Sequence, residues 1–352
     1  EGGQGSDGNN LFTGDLEDIE FHSAIGVIGV KNIYRLKDGT YLKTTISTSA
    51  TDNAIRRDSL IPTDLTPWDS YRNKSLEGRN NINLQLNHKA NARNLFRGGL
   101  ITDRLFFQLA DSLRLPQTGD WFQLTNFDGS VFLLQPYFQW QWRWSEKITL
   151  NSGLHAQFFT LNNTYDIGPR VGLKYAIHPQ HTLAIAYGKH AQVPPTRVYF
   201  RQVALPDGGS HNPNQDLGMT KSHHFVVSHA FRWKQLWSFK SEAYYQNLYN
   251  VPVDVVSNSY SLLNFGANFE LRFPDALVNN GTGENYGVEF TLERHMQEGV
   301  YLLSTLSLYR SLFTGSNGVT HGTAFNGNYT FNLLGGKEFD ITSSKIKTNR
   351  KM

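Results

Sequence analysis

Between residues 192 and 220 the chain carries VPPTRVYFRQ and then PDGGSHNPNQD, a stretch mixing cations, aromatics and turn formers. Arg197, Tyr199, Phe200 and Arg201 are side chains that a loop on a rigid scaffold can present to a ligand. The competing use of the same residues is to build a structured loop that shields an opening. Asp207, Asn212, Asn214 and Asp216, close to Gly208 and Gly209, offer oxygens that calcium accepts. Their spacing is not that of an EF-hand, and turn chemistry explains it better.

Twelve histidines and no cysteine limit the remaining chemistry. His178 and His181 bracket a proline turn, and His223 and His224 are sequence neighbours that a strand sends to opposite faces, so neither pair is a good chelate. Ser222, His224 and Glu242 are the residue types of a hydrolase triad on facing strands, without a nucleophile elbow around the serine. Gly208-Gly209 and Gly335-Gly336 lack the lysine or helix start of a phosphate loop. Nothing here implies an enzyme, a metal site or a cofactor.

The elements that carry these residues follow from period-2 alternation, which a strand converts into two faces. Ile148, Leu150, Leu154, Ala156 and Phe158 alternate with Thr149, Asn151, His155 and Gln157; Tyr286, Val288, Phe290 and Leu292 alternate with Glu289, Thr291 and Glu293. Strands are expected near 19–35, 40–52, 78–89, 98–111, 131–144, 147–161, 166–177, 181–191, 221–233, 235–248, 284–296, 299–312 and 322–336, with another starting near 341. They exceed the roughly 5 to 6 residues usual in globular sheets and suffice for a tilted membrane crossing.

Short turns at 37–39, 145–146, 178–180, 234 and 297–299 interleave with longer connections at 53–77, 112–130, 162–165, 192–220, 249–283 and 313–321. That is the layout of an outer-membrane β-barrel, with short periplasmic turns and long outer loops. Trp140, Trp142 and Trp144 precede one short turn, and Trp233 and Trp237 flank another, as an interfacial girdle requires. Composition agrees: 13% aromatic residues accompany only 18% charged ones, so much side-chain surface is free to face lipid. No stretch reaches the roughly 18 apolar residues of a spanning helix. The net charge of +3 comes from scattered Lys and Arg, which excludes the basic footprint of a nucleic-acid binder.

The expected fold is therefore all-β: a transmembrane antiparallel up-and-down β-barrel, of which this chain supplies about 13 to 14 strands. Residues 1–352 read as a single, partial barrel domain without internal repeat or linker. Gln135, Gln139, Gln141 and Arg143 on one strand, and Lys240, Glu242, Tyr244 and Gln246 on another, form a polar inner face. A barrel that wide encloses water or a plug.

Four strings then carry a resemblance: KSHHFVVSHAF from 221, YYQNLYNVPVDV from 244, NYGVEFTLER from 285 and FNGNYTFNLLGGKEF from 325. In this order they resemble the later barrel strands of TonB-dependent outer-membrane receptors, closest to the branch with a carboxypeptidase-regulatory-like N-terminal domain. The resemblance implies a barrel of about 22 strands in the bacterial outer membrane, filled by an N-terminal plug. It also implies import of a ligand with energy from the TonB complex, and in some branches a surface lipoprotein partner. The plug, the TonB-contact segment and the first and final strands are expected outside this sequence. The ligand, whether siderophore, cobalamin, glycan or peptide, is not implied. The alternatives are a passive outer-membrane channel or porin, and a surface adhesive β-protein that never enters lipid.

Overall fold

The computed structural model describes residues 16–61, 65–205, 209–234, 236–266 and 274–339. Eight strands open the chain: β1 (Glu17–Lys37), β2 (Thr40–Leu60), β3 (Pro67–Lys89), β4 (Asn94–Arg114), β5 (Trp121–Arg143), β6 (Ile148–Phe159), β7 (Thr164–His178) and β8 (His181–Gln192). A long connection follows, holding a 3-10 turn at Thr196–Phe200 and the two-residue strands β9 (Val203–Ala204) and β10 (Ser210–His211). Next come β11 (Thr220–Trp233), β12 (Trp237–Asp254), β13 (Leu277–Gln297), β14 (Val300–Thr314), β15 (Thr320–Gly322) and β16 (Tyr329–Lys337).

All but β9 and β10 form one antiparallel 14-stranded sheet in chain order, with β15 and β16 both pairing β14. Sequential hairpins with one face toward lipid are the up-and-down wall expected from the alternation. Among the described residues the outer edges of β1 and β16 are not paired with each other, so the wall is a sheet that has not closed.

At one end the connections are short. Glu298 and Gly299, at φ +55° and +71°, make the two-residue hairpin whose positive dihedrals match strand twist. The girdle expected from the tryptophans forms there: Trp140 stacks on Trp142 at 5.5 Å and Trp142 on Trp144 at 5.8 Å, and Trp140 Nε1 donates to Asn94 Oδ1 at 2.9 Å.

Three expected loops are corrected. Connections anticipated at 53–77, 112–130 and 249–283 narrow to 61–66, 115–120 and 255–276, because β2–β5, β12 and β13 continue as paired strands. Strands of 21 to 23 residues, such as β2 and β3, extend about 70 Å, more than twice what a crossing needs. Past the lipid, water bathes the outer face and no hydrophobic alternation is required, so TDNAIRRDSL stays hydrogen-bonded without announcing itself.

The strand expected over 322–336 is also corrected, to β15 and β16 with a turn between. Asn326 Oδ1 accepts from Ser311 N at 3.0 Å, Thr323 Oγ1 donates to Ser311 Oγ at 2.8 Å, and Asn328 takes a positive φ of 62°. The FNGN segment is turn chemistry that outweighs the alternation on either side. The strand anticipated from 341 lies outside the described residues, as do Asp207 and Gly208.

Candidate functional site at the long-loop mouth

The inner face of β4–β6 changes character along its length. Near the short turns it presents Arg97, Gln139, Gln141 and Asn151. Asp103 marks the boundary: it is 1% exposed and accepts from Asn81 Nδ2 at 2.7 Å and Gln135 Nε2 at 3.1 Å. Beyond it the same face carries Leu105, Phe107, Leu109, Val131 and Phe159, an apolar collar inside the outer mouth. The segment LFFQLAD is apolar on both parities, which was the legible sign of this collar.

The 3-10 turn Thr196–Phe200 sits on the collar. Val198, Tyr199 and Phe200 are buried, Phe200 stacks on Phe127 with centroids 3.6 Å apart, and Tyr199 packs against Phe159 at 5.4 Å. Backbone contacts continue the attachment, with Gln202 N donating to Leu124 O at 2.9 Å and a bridge between Arg201 and Thr125. The loop thus folds inward over the lumen instead of projecting into solvent. An apolar turn surrounded by water would expose two aromatic rings, whereas the collar removes both from it.

The four residues singled out above divide into two pairs. Tyr199 and Phe200 point into the packed core of the loop. Arg197 pairs with Glu77 of β3, and Arg201 holds Asp275 at 2.6 Å near the start of β13. Both guanidiniums are mostly covered, so they staple the loop to opposite sides of the wall.

The other end of the loop is held by asparagines. Asn162 Nδ2 donates to Leu217 O at 2.8 Å, Asn250 Nδ2 to Met219 O at 2.6 Å, and Asn279 Oδ1 accepts from Gly218 N at 2.8 Å. Asn214 is fully buried; its Oδ1 accepts from Leu277 N at 2.8 Å and its Nδ2 donates to Asp275 O. Its oxygen is therefore engaged in fixing a turn. Asn214→Ala is expected to cost about 1–3 kcal/mol of loop stability by orphaning the buried Leu277 N–H. Limited proteolysis checks this: cleavage within 203–219 should accelerate while the barrel's heat-modifiable migration stays unchanged.

Burial raises the pKa of Tyr199, and also of Tyr71 and Tyr260, where nearby Asp111 and Asp254 reinforce it. A phenol whose folded pKa is raised contributes stability that is complete below its unfolded pKa near 10 and is lost as pH climbs past it. The mouth assembly is expected to keep its protease resistance up to about pH 9.5 and to lose it progressively as pH rises beyond about 10. Ultraviolet phenolate titration run alongside proteolysis would reveal the link.

The remaining candidates do not converge. Ser222 Oγ and His224 Nε2 lie 2.8 Å apart, but Glu242 pairs with Ser228, six residues along β11 from Ser222 and so about 20 Å away. His223 turns to the outer face and meets Tyr187 Oη at 2.9 Å while His224 faces inward, as adjacent strand residues must. His178 and His181 meet edge-on at 6.1 Å, and among the described residues no group of three metal-ligating side chains assembles. No described helix is long and apolar enough to cross a membrane.

The sequence matches the family model "TonB dependent receptor-like, beta-barrel" over residues 4–347. The chain belongs to the TonB-dependent receptor β-barrel family. It is accordingly a wall of a Gram-negative outer-membrane barrel, with its long-loop mouth at the cell surface.

Solved receptors share the fold. The ferric-catecholate import receptor Fiu from E. coli K12 has a TM-score of 0.64 at 10% identity, over 91% of this chain and 52% of that one. The ferric yersiniabactin uptake receptor FyuA from Yersinia pestis gives 0.57 at 11%, over 93% and 55%. The RagAB peptide importer gives 0.56 at 10%, over 85% and 37%. The chain thus spans from about a third to about half the length of these structures. Comparison with curated protein sequences gives no match.

Proposed function

We propose that this barrel captures a ligand at its outer mouth and imports it through a plugged lumen, driven by the TonB complex. The observation that carries the reading is the inward-folded 193–219 loop. It narrows the mouth over a polar lumen, and on this reading the receiving surface lies between the Arg197–Glu77 and Arg201–Asp275 staples. Tyr199 and Phe200 shape that surface from beneath by setting the loop's height. Further strands between the free edges of β1 and β16 complete one barrel domain, since lipid cannot satisfy open sheet edges. A surface lipoprotein partner, which the family resemblance implies for some branches, extends the same reading.

The test uses the full-length gene in its native host. Uptake of a candidate solute by whole cells should require both the gene and an intact TonB system. Uptake that is unchanged without TonB and linear in external concentration would sink the energised reading and establish a passive channel.

A further inference from the structure

Below the apolar collar, a hollow of about 780 Å³ opens on the inner wall across β4–β8 and β11. Its floor is backbone. Arg170 of β7 has Gly153 as its direct neighbour on β6 and Gly188 on β8, and Gly188 in turn faces His224 of β11. With glycine on both sides, no β-carbon stands beside the arginine stem, and the His190 ring lies over Gly188 next to it. A Cβ at Gly153 would come within 2.6 Å of Phe138 O, so the floor also demands glycine sterically.

The side chains rising around that floor are cations and imidazoles. Arg97, Arg170, His155, His190 and His224 line the hollow, and no Asp or Glu does. His190 and His224 lie 4.3 Å apart with their rings tilted by 31°, and Ser222 holds the pair through its hydrogen bond to His224 Nε2. Some other cations of the lumen and its mouth have carboxylates: Arg79 has Asp103, Lys240 has Glu242 and Arg197 has Glu77. Arg97 and Arg170 have no such carboxylate among the described residues. Moreover, Arg170 Nε is buried without a hydrogen-bond partner. A buried guanidinium N–H strongly favours a partner, and this one opens on a hollow rather than on packed protein.

We infer that this recess takes an anionic oxygen group, a carboxylate or phosphate, anchored on Arg170. The planar guanidinium fork suits bidentate oxygen pairs, and the neighbouring imidazoles supply further N–H donors. The glycine floor lets the group approach the wall as closely as backbone permits. The anion has two possible sources: a solute in the lumen, or an acidic side chain of a protein element seated there.

Citrate, a tricarboxylate, tests this on the full-length protein in detergent, with calorimetric titration and thermal unfolding of the wild type, Arg170→Gln and Arg170→Lys. For a solute site, citrate binds the wild type, affinity falls at least tenfold in Arg170→Gln, and Arg170→Lys lies between the two. For a recess already filled by a protein carboxylate, citrate does not bind the wild type. The melting temperature then drops in Arg170→Gln and recovers in Arg170→Lys, which retains the charge. Equal citrate affinity in the wild type and Arg170→Gln would overturn the inference. So would an unchanged melting temperature where citrate finds no site, or Arg170→Lys proving as damaging as Arg170→Gln.

Discussion

Val227→Arg is expected to destabilise the folded barrel by about 2–4 kcal/mol in a bilayer, while Ser228→Arg leaves it nearly unchanged. The two residues are neighbours on β11. Val227 faces outward, more than half exposed, opposite Ile185 and Ala243. It lies six residues from Trp233 at the girdle, which on a tilted strand puts it near the bilayer midplane. Ser228 faces inward, opposite Glu242, where a guanidinium gains water and a carboxylate. On a water-soluble β-protein both replacements would be surface changes within about 0.5 kcal/mol. Urea unfolding of the full-length protein in liposomes measures the difference. Equal effects of the two arginines would contradict the assignment of faces.

The second large effect is local to the mouth. Phe200→Ala removes a ring that stacks on Phe127 and touches Phe107 at 5.9 Å, with Phe200 itself 3% exposed. Deleting a buried phenylalanine costs about 3–5 kcal/mol, and the cost here falls on docking of the loop against the collar, because the wall's ladder hydrogen bonds are untouched. The expected result is a barrel that still migrates as folded on unboiled gels yet is cut rapidly between 193 and 219. Phe200→Leu should recover most of the protection. Whole-barrel unfolding in Phe200→Ala would show that the loop and wall are one cooperative unit. For a receptor, freeing this loop should also alter ligand capture, since the loop sets the shape of the opening.

The membrane-crossing stretches of most strands, their inward and outward faces and the side of the short turns were readable from residues, because each depends on neighbours two apart or on a tight turn. The Trp140–Trp142–Trp144 ladder is an example: one parity, one strand, one interface. Legibility failed where the physical requirement behind the pattern lapsed. Residues 53–60 and 121–130 have water on the outer face, so pairing persists there without alternation. At 323–328 the pattern persisted but Asn-Gly chemistry bent the chain away from it.

The mouth could not be read in the same way. VPPTRVYFRQ announces a loop rich in recognition-type side chains, and it is compatible with a loop that reaches out or one that folds in. The choice is made by Phe107, Phe127 and Phe159, on three strands and up to about 90 positions away in sequence, which only the paired ladder brings to one patch. Likewise Arg170 is an ordinary strand arginine until register places Gly153 and Gly188 beside it. By itself the sequence determined the faces of the wall, since alternation is a local consequence of strand geometry. Tertiary structure alone decided what the loop covers and where a cation is left without a partner, since both depend on residues that meet only through register.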